Sequence, residues 1–128
     1  MNNKLLFGSL GVIQIVTGSV LVWAHLGHII GIFGVAAFST LLVSAVLKII
    51  AGFLSENAVN AQRSIGGSFL LDGIVFITYY QFQVEIGTYE PLLWAYVLAA
   101  LSALTLIGIG TGILRDRTAF PIFLSEQS

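Results

Sequence analysis

Asp72 is the one carboxylate inside a long apolar run of this 128-residue chain. An acid in that setting can relay a proton or cation, bind a solute, or hold a neighbouring helix by a hydrogen bond. It lies nine residues beyond Arg63, which on a helix is roughly 13 Å of rise, close to half the thickness of a bilayer core. Gln14 lies nine residues beyond Leu5 and reaches a similar depth from the same side. Thr40 and Ser102 fall midway along two further apolar runs, and Ser68 stands one turn before Asp72 on the same helical face. Gln14, Thr40, Ser68, Asp72 and Ser102 therefore form a predicted polar layer. A charge at the midplane costs at least about 2.5–3.5 kcal/mol on insertion scales. Protonation of Asp72, or hydrogen bonds from Gln14, Ser68 or Ser102, would lower that cost.

A second group has metal-binding chemistry. His25 and His28 are the only histidines, spaced H-x-x-H, and Glu85 and Glu90 lie in another short polar connection. Imidazole and carboxylate donors together suit Zn, Cu or Fe, and a single imidazole suits axial haem ligation. The alternative is that these residues only hydrate short loops. The stretch Gln14-Ile-Val-Thr-Gly18, the short connection after it and the segment containing His28 resemble one half of a haem A synthase-type bundle. That family carries histidines in both halves, whereas the second half of this chain has none. That departure leaves the cofactor open: the sequence requires none, and the rim residues could take a metal or haem.

Four apolar stretches must position these groups: 5–23, 29–54, 65–82 and 92–114. A helix needs roughly 20 mainly apolar residues to cross a bilayer. Hydrophobic residues make up 57% of the chain and charged residues 9%, against about 25% charged in soluble domains. The apolar runs are continuous rather than alternating, which selects helices over a β-barrel. The first run exceeds the usual 7–15 residue core of a signal peptide and is read as a helix. The predicted fold is an all-α integral membrane protein, a four-helix transmembrane bundle forming one domain over residues 1–128, with a tail at 115–128.

Lys4, Lys48, Arg63, Arg115 and Arg117 all fall on one side of that arrangement, and the connections 24–28 and 83–91 contain no Lys or Arg. The positive-inside rule then places both termini in the cytoplasm, in a plasma-membrane protein. Lys48 lies inside the end of the second run, and its stem is expected to snorkel back to the cytoplasmic headgroups. Trp23, Tyr79, Tyr80, Tyr89, Trp94 and Tyr96 gather on the outer side, where amphipathic rings favour the interface.

Small residues mark expected helix-packing faces. These are Gly27 and Gly31, then Ala95, Ala99 and Ala103, then Gly108 and Gly112, with Gly11 and Gly18 flanking Gln14 on the first helix.

The net charge of −1 offers little to nucleic acid, and there is no cysteine for thiol chemistry. No phosphate loop, triad or paired-acid motif can be assembled, so the reading leans away from an enzyme. The leading expectation is a small non-catalytic subunit, or assembly partner, of a larger respiratory or oxygenase-like membrane complex, with lipid and other subunits or copies of itself as partners. One alternative is a redox, metal- or haem-binding protein using the rim histidines and glutamates. The other is an oligomeric proton or small-solute carrier centred on Asp72.

Overall fold

A computed structural model describes residues 3–27, 31–54 and 57–115. They form four helices: α1 (Asn3–Ala24), α2 (Ile32–Ile49), α3 (Ala58–Glu85) and α4 (Leu93–Arg115). A π-helical turn over Ile50–Leu54 continues α2. Short connections make successive helices antiparallel, and each packs on the next. The tail beyond Arg115 lies outside the described residues.

Three of the helical stretches, Leu5–Ala24, Ile32–Leu54 and Leu93–Arg115, are long and apolar enough to cross a membrane. The helix α3 has 28 residues but is less apolar. It carries Arg63, Asp72 and Glu85 together with Gln62, Gln81 and Gln83. Arg63 and Glu85 are exposed toward its two ends, whereas Gln62, Asp72 and Gln83 are largely covered in a helix that α2 and α4 flank. A helix covered by protein needs less apolar side chain on those faces than one covered by lipid.

Glycine and alanine let the backbones approach. At Gly11 an added Cβ would lie 2.7 Å from the Ala45 carbonyl oxygen, and at Gly18 it would meet Leu41 and Leu42. That face of α1, with Gln14 between the two glycines, is turned toward α2. Across the α3–α4 contact, a Cβ on Gly73 would sit 2.8 Å from the Ala103 carbonyl, and one on Gly110 would sit 2.7 Å from the Gly66 carbonyl.

Two caps fix the ends of α3. The Asn57 side chain accepts from the Asn60 amide at 2.9 Å, which satisfies one of the amides that a helix start leaves open. At the other end Gly87 takes φ +83°. The amide of Thr88 then donates to the Gln83 carbonyl and that of Gly87 to the Val84 carbonyl. This is the paired bonding of a Schellman turn, which favours glycine at the left-handed position. It directs the chain back across the end of α3 into α4.

Candidate functional site

The polar residues inside the bundle converge on Lys48. Side chains on a helix lean toward its N-terminus, so the Lys48 stem runs back along α2 to its neighbour one turn earlier, Ser44. Its Nζ donates to Asp72 Oδ2 at 2.5 Å, Gln14 Oε1 at 2.6 Å and Ser44 Oγ at 3.0 Å. An ammonium has three protons, and each one has an acceptor. The ring of Phe69 stands 5.9 Å from Nζ and closes another side.

The acceptors are themselves held. Asp72 Oδ1 receives Gln14 Nε2 at 3.2 Å and Ser44 Oγ at 2.6 Å. Gln14 Nε2 also donates to the Leu41 carbonyl at 2.9 Å, which ties α1 to α2. Ser44 Oγ has the Ser68 carbonyl within 3.0 Å, and the Ser68 hydroxyl donates to Ile65. The Lys48 and Asp72 side chains are 6% and 19% exposed, and both serines are fully buried. One contiguous network thus joins α1, α2 and α3.

Lys48 departs from the sequence expectation. Snorkelling toward the α2–α3 connection would require the stem to run against the N-terminal lean of helical side chains. Lys48 also lies on the same helical face as the buried Ala37, Ser44 and Ala45. It therefore turns inward and gives Asp72 an ion-pair partner. Ser44, the other member absent from the predicted layer, had a legible signal. The pairs Ser44/Lys48 and Ser68/Asp72 have the same four-residue spacing on neighbouring helices.

Of the predicted layer, Gln14, Ser68 and Asp72 belong to the network. Thr40 instead donates to the carbonyls of Ala36 and Ala37 on its own helix. No hydrogen bond joins Ser102 to the network among the described residues.

The packing residues also divide. Ala103 is buried at the α3 contact, with Ala95 and Ala99 half-buried on α4. Gly108 and Gly112 have open space above them, because Gly110 occupies the face that meets α3. Gly27 lies in the turn after α1 and Gly31 caps α2, so these two do not form a helical stripe.

At the opposite end from the α2–α3 connection, His25 Nδ1 lies 2.9 Å from the Leu21 carbonyl. Its ring packs against Phe82 and Phe38 at centroid distances of 5.6 and 6.0 Å. Its Nε2 is 3.4 Å from Gln83 Nε2, while the buried Gln83 Oε1 has no partner among the described residues. The carboxylate of Glu85 approaches Gly31, and Glu90 contributes its backbone carbonyl to the Tyr80 hydroxyl at 2.6 Å. His28 lies outside the described residues. Among those described, no three His, Cys, Asp or Glu side chains gather in a way that holds a metal.

No protein-family model, curated protein or solved structure matches this chain.

Proposed function

We propose that the chain is an integral membrane protein of four crossings, with both termini cytoplasmic and α3 supplying the third crossing over residues 65–82. We further propose that it is a small non-catalytic subunit, or an assembly and stabilising partner, of a larger membrane complex. The observation that carries this reading is the saturation of the Lys48 network. All three ammonium protons are engaged, two of them by α1 and α3 and the third by Ser44 on α2 itself, and both Asp72 oxygens are engaged by α1 and α2. Groups so occupied hold helices together and leave no ready site for a passing solute.

The helix α4 takes no part in that network and packs mainly on α3. Its other faces present Val97, Leu101 and Leu104 with Gly108 and Gly112, all exposed. Small residues let a neighbouring helix approach closely in a membrane. Purification from the native host in mild detergent tests the reading with the parent and with Gly108→Leu. A co-purifying membrane subunit is expected with the parent and is lost with the variant, while the variant's own thermal stability is not lowered. Recovery of the parent only as a monomer or homo-oligomer would count against it.

A second reading, an oligomeric carrier for protons or a small solute, draws on the partial exposure of Asp72 beside a buried cation. Its test is reconstitution of Asp72→Asn. Transport equal to that of the parent would remove the carboxylate from any such mechanism.

A further inference from the structure

Two adjoining cavities open where α3 meets α4, sharing Tyr80 and Tyr89 in their walls. The inner one has a volume of 260 Å³ and is lined by Val75, Phe76, Tyr79 and Ala99 as well as the two shared tyrosines. The outer one, of 420 Å³, adds Thr88, Glu90 and Trp94 at its mouth. Their walls are set by the backbone. The Schellman turn at Gly87 brings residues 88–90 back over α3, and the Tyr80 hydroxyl fixes the Glu90 carbonyl at 2.6 Å. Tyr80 packs in turn edge-to-face with Tyr96, at a centroid distance of 4.8 Å, and Tyr96 donates to Gln81 at 2.7 Å.

Charge distinguishes this cleft from an ordinary groove between helices. No Lys or Arg occurs from residue 64 to residue 114. The side-chain carboxylate of Glu90 is exposed at the mouth, with no hydrogen bond or ion pair among the described residues. The faces of Tyr and Trp rings attract cations, and quaternary ammonium groups are recognised by such rings. An open apolar groove beside an aromatic and acidic rim is complementary to a molecule with a greasy body and a positive head.

We propose that this cleft binds a free lipophilic organic cation, its apolar part against Val75, Phe76 and Ala99 and its ammonium head beside Tyr89, Trp94 and Glu90. The proposal is independent of the subunit reading, since it uses none of the network residues and not the glycine face of α4.

The test is a titration of the full chain in maltoside micelles with dodecyltrimethylammonium, held below its own micelle concentration. A Trp23→Phe background leaves Trp94 as the fluorescent reporter. Saturable quenching is expected, with dodecanol and dodecyl sulfate each binding at least about fivefold more weakly. Glu90→Gln keeps the backbone carbonyl that Tyr80 uses and is expected to weaken cation binding about fivefold without changing thermal stability. Equal affinity for the cation and the alcohol, or an unchanged affinity in Glu90→Gln, would overturn the proposal. Loss of binding when phosphocholine detergent replaces maltoside would assign the cleft to a lipid headgroup and also overturn it.

Discussion

Lys48 and Asp72 meet inside the bundle at 2.5 Å, joining α2 to α3 across 24 positions of sequence. A buried pair of this kind contributes little beyond a well-packed apolar pair, but losing one partner leaves the other charge without compensation. Lys48→Met is therefore expected to destabilise by about 3–5 kcal/mol, read from unfolding in detergent. Adding Asp72→Leu to it should recover most of the loss. Ser44→Ala removes a buried hydroxyl that serves Lys48 and Asp72 together, and should cost about 1–3 kcal/mol. Equal stability of parent and Lys48→Met would mean that the ion pair does not form.

Glycines on α3 and α4 provide a contrast that separates contact from spacing. Gly73→Val and Gly110→Ala both force atoms against a facing carbonyl and should each cost about 1–3 kcal/mol. Gly108→Ala meets nothing within 4 Å and should be neutral or stabilise by up to about 1 kcal/mol through helix propensity. Thermal unfolding of the three variants checks the order.

Gln83 holds a buried carbonyl oxygen without a donor among the described residues. Replacing it with Leu discards that unsatisfied group together with a long 3.4 Å contact to His25. Removal of an unpaired buried polar group is neutral or favourable, so Gln83→Leu should unfold no earlier than the parent. A fall in midpoint would reveal a partner for that oxygen.

Gly87→Ala should destabilise by about 1–2 kcal/mol, because its φ of +83° lies in the left-handed region that a Cβ disfavours. The same substitution should widen the α3–α4 cleft. That is measurable as altered Trp94 emission in a Trp23→Phe background.

Helix number and approximate limits were legible from apolar run length, since run length is what a helix crossing requires. The ends of α3 were less legible. Polar residues from Asn60 to Arg63 and from Gln81 to Glu85 hid its true span of Ala58–Glu85. Asp72 and Gln14 stood out as polar residues in apolar runs, and the structure unites them. Lys48 was misread because its position near a run's end was weighed without the direction its side chain must take. The glycines of α4 show the same limit. Spacing made Gly108 and Gly112 conspicuous, but the orientation of the helix on α3 selected Gly110, which spacing alone could not rank.

The separation of Lys48 from Asp72 along the chain also orders events during synthesis. If the protein inserts as it emerges from the ribosome, α2 arrives with its cation before the matching anion exists. At about 5–20 residues per second, the 24-residue interval lasts roughly one to five seconds. Over that interval the second helix has to wait at the translocon or at the lipid boundary, with α3 drawing it into place. Truncated nascent chains would expose this dependence. The second helix should integrate less efficiently when the chain stops before Asp72 than when it extends past Glu85, and Lys48→Leu should abolish the difference.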